Sequence, residues 1–180
     1  MKKILSVLLT LAMLLTTTAG FAAAAEEETR TFVDSAGREG EIPANIERII
    51  PSGQLAQSFM WPLAADRLVS LNVAMTEDQL AYVGQQYADL PITGNLYQTG
   101  SELNIEEVAS LNAQIIIDFG EPKDTIVEDL DNLQKILGIP CIFIEGSFTN
   151  TADAYRVLGD LLGKQEEAEE IASYVENIMS

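Results

Sequence analysis

The sequence predicts an α/β domain with a mostly parallel sheet and helices on both faces. Short apolar segments alternate in order with amphipathic ones, and the loops between them are short, as expected when each strand crosses over through a helix. Two of the apolar segments, Gln114–Phe119 and Pro140–Glu145, are almost continuous, which is typical of strands covered on both faces. These observations indicate a Rossmann-like arrangement.

A small β-hairpin precedes the sheet, because Thr31–Asp34 and Gly40–Pro43 flank the turn residues Ser35–Arg38. Five strands are then expected for the sheet, each a short apolar run that ends at a polar or glycine-bearing loop. They are Arg48–Pro51, Arg67–Leu71, Leu90–Thr93, Gln114–Phe119 and Pro140–Glu145.

Helices are predicted between the strands from apolar spacing and from capping residues at their ends. Pro62 is expected to shorten the first of them, since proline removes a backbone donor. Thr76 and Gln79 fit a capping box at the start of the second. The predicted helices are Leu55–Ala65, Thr76–Tyr87, Asn104–Ser110, Asp124–Leu137 and Thr151–Leu162, followed by a last amphipathic helix, Glu166–Ser180.

Composition excludes several functions. The 180 residues include 28 acidic and 10 basic side chains and no histidine, so the formal charge is −18. Such a chain repels phosphate backbones, and we expect no nucleic-acid partner. Without histidine there is no Ser–His or Cys–His pair and no histidine-ligated metal. The single cysteine, Cys141, allows no internal disulfide and is expected to be a buried hydrophobe. Two classes of function remain: catalysis by carboxylate side chains, or ligand binding without catalysis.

Residues 1–25 are predicted to be a secretory signal. Lys2 and Lys3 precede the apolar run Ile4–Leu15, and the small residues Ala22–Ala25 come before an acidic segment. The apolar run is about 12 residues, whereas a membrane-spanning helix needs about 20. No cysteine follows directly, so no lipid anchor is expected. The predicted location is the periplasm or cell envelope after cleavage.

Several segments resemble, in the correct order, the substrate-binding proteins of ABC importers for iron-siderophores, haem and cobalamin. Those proteins open with a hairpin reading D-x-x-G-R-x-x-x-I-P, as Asp34–Pro43 does, and continue with an E-R-I/V-V strand, which Glu47–Ile50 resembles. A later family motif, N-x-E-x-x-x-x-L-x-P-D-x-V-I, resembles Asn104–Ile117, where Ala113 and Gln114 replace the Pro-Asp pair. The similar segments are Phe32–Pro43, Ile46–Ile50, Ala65–Val69, Asn104–Ile117, Leu137–Pro140 and Leu158–Gly163.

The resemblance implies two α/β lobes joined by a long helix, with ligand in the cleft between them. It assigns residues 26–164 to the N-terminal lobe and 165–180 to the start of the linking helix, with the second lobe absent. The implied function is capture of an iron chelate (siderophore or haem) or cobalamin for delivery to an ABC permease, with no catalysis and no cofactor. A single lobe is expected to bind weakly. Gln57 aligns with a family glutamate that docks on the permease, and losing that charge would weaken docking by roughly 1.5–3 kcal/mol.

Ligands of open parallel sheets bind at the carboxyl ends of the strands, which identifies candidate binding residues independently of the family. Gln54 or Gln98 could hydrogen-bond a carbonyl or hydroxamate oxygen, and Tyr97 offers a flat apolar face. For each residue the alternative is a role in the turn itself. The candidates are Ser52, Gly53, Gln54, Asn72, Asn95, Tyr97, Gln98, Glu121 and Glu145.

Other functions have weaker support. Glu121 and Glu145 could form a cation site or the acid and base of a hydrolase, but the sequence contains no nucleophile motif. A nucleotide-binding domain would need a glycine-rich loop after the first strand, and none is present. A stand-alone exported module that pairs with another chain through the last helix remains the alternative to a transport role.

Overall fold

The computed structural model describes residues 28–97 and 102–180. The predicted signal segment and Gln98 lie outside the described residues. In the described part of the chain no helix has both the length and the apolar character needed to cross a membrane.

The predicted hairpin is present. Strand β1 (Thr29–Val33) pairs antiparallel with β2 (Glu39–Pro43). Asp34 shapes the turn between them, since its Oδ1 accepts the backbone N–H groups of Ala36 at 3.0 Å and of Arg38 at 2.9 Å. The hairpin also meets the sheet, because Ser35 N donates to the backbone carbonyl of Phe143.

The sheet is parallel, in the order β3–β4–β5. Strand β3 (Ile49–Pro51) pairs with β4 (Ile115–Gly120), and β4 pairs with β5 (Cys141–Glu145). The carboxyl ends of these strands therefore lie along one edge of the sheet.

The other two predicted strands are shorter than expected. Within the described residues, the segments at 67–71 and 90–93 are reduced to isolated parallel bridges, Ile49 with Leu68 and Leu71 with Ile92. Pro91 has no N–H to contribute to a ladder, which limits pairing in the second segment. The topology is as predicted, but these two strands are single contacts at the margin of the sheet.

The helices lie close to the predicted positions. Helix α1 continues through Pro62 to Ala64, so the expected shortening at the proline is wrong, whereas Thr76 forms the predicted capping box at the start of α2. Helix α2 ends before Gly84, whose φ of 114° is unsuited to a helix, and a 3₁₀ turn (Gln85–Tyr87) follows. The bounds are α1 Gln54–Ala64, α2 Glu77–Val83, α3 Ile105–Ser110, α4 Ile126–Leu137, α5 Thr151–Leu162 and α6 Gln165–Met179.

The sheet separates two apolar layers, as predicted from the continuous apolar strands. Alternate residues of β4 point to opposite sides, with Ile115 and Ile117 in one layer and Ile116 in the other. Buried residues of the hairpin and of α1, α5 and α6 complete the first layer, whereas those of α3 and α4 complete the second. Because both faces of the sheet are buried, the strand residues that remain to form a site are those at the strand ends.

Helix α6 packs against α5 through small residues. Ala168 and Ala172 are fully buried, and a Cβ added to Gly159 would lie 2.3 Å from the Ala168 Cβ. Arg156 on α5 links the helices by ion pairs with Glu169 and Glu176, both at 2.8 Å. The first three turns of α6 are thus anchored to the domain.

Candidate functional site

A hollow of about 260 Å³ opens at the carboxyl edge of the sheet, between the ends of β3 and β4 and the segment at 95–97. We call it the strand-end hollow. It brings together five of the predicted binding residues. Its lining is Ser52, Gly53, Gln54, Leu55, Ala56, Asn95, Tyr97, Asp118 and Phe119.

The floor of the strand-end hollow is a hydrogen-bonded set of three side chains from different segments. Asp118, on β4, is only 4% exposed. Its Oδ1 accepts a short hydrogen bond from the Ser52 hydroxyl, which follows β3, and its Oδ2 accepts one from the Tyr97 hydroxyl at 3.0 Å. The carboxylate therefore holds the two neighbouring loops to the end of β4.

Burial governs the electrostatics of this set. Desolvation raises the pKa of Asp118, and the hydrogen bonds from Ser52 and Tyr97 and the charge of Lys123 oppose that rise. Burial and then the Asp118 charge also raise the pKa of Tyr97, so its hydroxyl remains protonated and keeps donating. Tyr97 is nevertheless 42% exposed, so part of its ring faces the hollow.

Asn95 holds the start of α1 in place beside the hollow. It is buried, and its Oδ1 accepts the backbone N–H of Gln54 at the start of α1, at 3.2 Å. A Cβ on Gly53 would lie 3.4 Å from the same oxygen. Asn95 is committed to the loop before α1, whereas the Gln54 side chain has no hydrogen bond to a described residue and is available to a ligand.

Asn72 and Gln57 are turned into the fold. Asn72 is fully buried, and its Nδ2 donates to the carbonyls of Pro51 at 2.9 Å and Gly94 at 2.6 Å. Gln57 is 7% exposed, and its Oε1 accepts the Asn72 backbone N–H at 2.7 Å. Both tie the strand ends together. The permease-docking role of Gln57 stays a prediction; its Oε1 is used in a hydrogen bond within the fold.

Glu121 and Glu145 are two further predicted binding residues. Both are exposed, in the segments that end β4 and β5, and neither contributes to the lining. In residues 28–97 and 102–180 no group of three or more histidine, cysteine, aspartate or glutamate side chains is placed to hold a metal ion. The structure gives no support to pairing these carboxylates as acid and base.

A second hollow of about 410 Å³ lies on the other side of α1, and we call it the α1 groove. It shares Gln54 and Leu55 with the strand-end hollow, so the two flank the first turn of the helix. Trp61 forms one side and meets Tyr87 edge-on, with ring centroids 4.9 Å apart. The lining is Gln54, Leu55, Gln57, Ser58, Trp61, Val73, Met75 and Gln79, all uncharged.

Asp118 is the site residue that the sequence analysis missed. The sequence does indicate that Asp118 is unusual, because it is the one charged residue in the six-residue strand Ile115–Gly120. A carboxylate in a strand buried on both faces requires partners, and those partners come from segments far away in sequence.

The sequence matches no protein-family profile and no curated protein. Solved structures are similar to it. An ABC transporter solute binding protein from Sulfurospirillum deleyianum has a TM-score of 0.67 at 22% identity, over 80% of this chain and 45% of its own. The heme binding protein HmuT gives 0.56 at 22%, over 81% and 44%. The TroA-like periplasmic binding protein FepB from Veillonella parvula gives 0.60 at 18%, over 82% and 46%. The chain therefore has the fold of part of a periplasmic solute-binding protein, and it spans less than half the length of these structures.

Proposed function

We propose that the chain is the exported solute-binding component of an ABC importer, which captures an iron chelate (siderophore or haem) or cobalamin and delivers it to a membrane permease. The observation that carries this proposal is the strand-end hollow, which lies where open parallel sheets bind ligands. The likeness in fold to solute-binding proteins, one of them heme binding by its name, supports it.

We assign residues 1–25 to a signal peptide, 26–164 to the N-terminal lobe and 165–180 to the start of a linking helix. The packing of α6 supports the last boundary. Ala168 and Ala172 are buried against the lobe, whereas Tyr174 and Ile178, further along, are 67% and 66% exposed. A helix that leaves one lobe for another would show this change from buried to exposed apolar residues.

Binding at this site needs no chemical step. Leu55 and the exposed part of the Tyr97 ring offer apolar contact, and the Gln54 amide offers a donor and an acceptor to carbonyl or hydroxamate oxygens. The hollow is open and forms one wall of a site. The chain by itself is therefore expected to bind with low affinity, because a second wall would supply the remaining buried surface.

The proposal is tested by titrating the ¹⁵N-labelled chain, residues 26–180, with a gallium-loaded trihydroxamate, with gallium protoporphyrin in place of haem, and with cobalamin. Gallium replaces iron because it does not broaden the NMR signals. We expect one of the three to shift the Gln54 and Asn95 side-chain amide signals with a dissociation constant on the order of 1 mM. Tyr97→Ala should remove the shift, and Tyr82→Ala, at an exposed tyrosine outside the lining of the hollow, should not.

Two results would contradict the proposal in different ways. If none of the three ligands shifts these signals, the strand-end hollow is not a chelate site. If one of them binds with submicromolar affinity, a single wall suffices and the expected need for a second one is wrong.

A pairing module is the second candidate, and the exposed end of α6 favours it. A hollow of about 290 Å³ between the start of α5 and the end of α6 includes Val175 and Met179 in its lining. If this surface binds a second copy of the chain, sedimentation velocity will show a dimer at micromolar concentration, and Ile178→Glu will convert it to a monomer. A monomer throughout would exclude self-pairing.

A further inference from the structure

Asp118 is the one charged side chain in the lining of the two hollows, counted over the described residues. The neighbouring residues 98–101 read Gln-Thr-Gly-Ser and carry no charge, and the next residue, Glu102, is exposed and bridges to Asn95. The polar groups of the lining are otherwise amides and hydroxyls. Asp118 is therefore the charge that lies within the lining, whereas Lys123 and Glu102 lie beside it.

The positive charge that acts on Asp118 is that of Lys123, which does not form an ion pair with it. Its two oxygens accept from the neutral hydroxyls of Ser52 and Tyr97, and no ion pair within 4.0 Å involves it in the described part of the chain. The Lys123 ammonium lies 2.9 Å from the centroid of the Tyr97 ring. Lysine thus faces the ring, while the carboxylate faces the hollow.

A poorly solvated charge acts strongly on ligands that bind beside it, because little water screens the interaction. A polyanionic ligand in the strand-end hollow would be repelled by Asp118, whereas an uncharged or cationic ligand would not. The amides of the lining can meanwhile satisfy the oxygens of a neutral chelate. The same carboxylate fixes the Tyr97 ring through its hydroxyl, so ring position and charge preference share one origin.

We propose that Asp118 determines the ligand charge that this surface accepts, favouring neutral or cationic chelates over polyanionic ones, and that it positions the Tyr97 ring. The inference rests on the proposed function, since it concerns the same hollow. It names a residue and a charge class rather than a particular chelate.

The test uses three gallium complexes that differ mainly in charge: a cationic linear trihydroxamate, a neutral cyclic trihydroxamate and a trianionic triscatecholate. Each is titrated at pH 8 and low salt into the chain and into the variants Asp118→Asn, Tyr97→Phe and Glu39→Gln. The wild type should bind the first two more tightly than the third. Asp118→Asn, which keeps a hydrogen-bond acceptor, should reduce that preference by about tenfold.

The other variants separate charge from structure. Tyr97→Phe loses the hydrogen bond but keeps the carboxylate, so all three complexes should weaken by a similar factor and the preference should persist. Glu39→Gln removes an exposed charge on β2, and both affinities and preference should stay unchanged. An unchanged preference in Asp118→Asn overturns the inference and leaves the proposed function standing. Absence of binding by every complex also overturns the inference, and the proposed function then depends on the titrations with gallium protoporphyrin and cobalamin.

A second measurement on the wild type keeps the inference testable if Asp118→Asn does not fold. The ¹³C signal of the Asp118 carboxyl is followed as the pH is lowered, together with the preference between the neutral trihydroxamate and the same complex carrying three sulfonates, because sulfonates stay ionised in acid whereas catecholates take up protons. Tyr97, Lys123 and Cys141 interact electrostatically with this group, but side chains of those types keep their charge state between about pH 4 and 8. The preference should disappear with the same midpoint as the signal, and a preference that persists after protonation overturns the inference.

Discussion

Arg38 donates from Nη1 to Oδ2 of Asp34 at 3.0 Å, and the Asp34 side chain is completely buried. Asp34 also accepts backbone N–H groups of its own turn and, at 3.2 Å, that of Phe143 in β5. Arg38 Nη1 reaches the Cys141 carbonyl at 2.8 Å. The D-x-x-G-R pattern of the hairpin is therefore explained by its attachment to the sheet.

Replacing Asp34 should be among the most destabilising single changes in the chain. Asp34→Ala leaves Arg38 without its buried partner and three backbone donors unsatisfied, and we expect a loss of about 3–5 kcal/mol in the free energy of unfolding. Asp131→Asn is the matched control, because that carboxylate pairs with Arg38 from a side chain that is 60% exposed, and it should cost less than about 1 kcal/mol. Urea unfolding measures both. Equal losses would contradict the argument.

Gly159 is predicted to be required for the contact between α5 and α6. Gly159→Ala places a methyl group 2.3 Å from the Ala168 Cβ, so the helices must separate, and we expect a loss of about 1–3 kcal/mol. Ala168→Gly in the same chain should recover part of the loss, which a double-mutant cycle by urea unfolding measures. Gly40→Ala is the control, since nothing lies within 4 Å of a Cβ there. A strictly additive cycle would show that the two positions do not compete for space.

Local patterns in the sequence predicted most of the elements, because the signals lie within a few residues of each other. Thr76 and Gln79 predicted the capping box of α2. Gly138 and Gly163 predicted the ends of α4 and α5, and both adopt the left-handed conformation with φ of 68° and 67°. The alternation of strands and helices then restricted the topology to a parallel sheet.

The marginal strands and the floor of the site depend on contacts between distant segments. The segments at 67–71 and 90–93 have strand-like composition, yet their pairing is limited to single bridges at Leu68 and between Leu71 and Ile92. Asp118 meets a hydroxyl that is 66 residues away in sequence, and no local rule predicts that meeting. Gln57 was placed by counting along the chain, which cannot show that its Oε1 accepts the backbone N–H of Asn72.

Cys141 should be almost unreactive in the folded chain. Burial raises the pKa of its thiol to about 12, and the Sγ lies 3.4 Å from the Ile139 carbonyl. The thiolate fraction near pH 8 is then about a thousandfold below that of an ordinary thiol, and access is also blocked. Reaction with a disulfide reagent should proceed only as fast as the protein unfolds, and in 8 M urea it should be immediate. Rapid labelling of the native chain would show that the start of β5 opens readily.

The ion pairs of Arg156 should make the stability of the α5–α6 contact depend on pH. Hydrogen bonds from Arg156 hold the pKa of Glu169 below its usual value of 4.5. A group with a lowered pKa stabilises the fold above its unfolded pKa, and that contribution is lost as the pH falls through the folded one. Arg156→Gln should therefore lower the melting temperature at pH 7, and the difference from wild type should shrink as the pH falls below about 4.5 and Glu169 loses its charge.

Lys135→Gln is the matched control for Arg156→Gln, because it removes one positive charge from an exposed position of α4 that forms no ion pair with a described residue. Its effect on the melting temperature should be small and the same at pH 7 and pH 3. Raising the salt concentration should also reduce the effect of Arg156→Gln, since these side chains are exposed and their attraction is screened. If the difference caused by Arg156→Gln is the same at both pH values, the arginine acts through packing of its aliphatic stem rather than through its carboxylate partners.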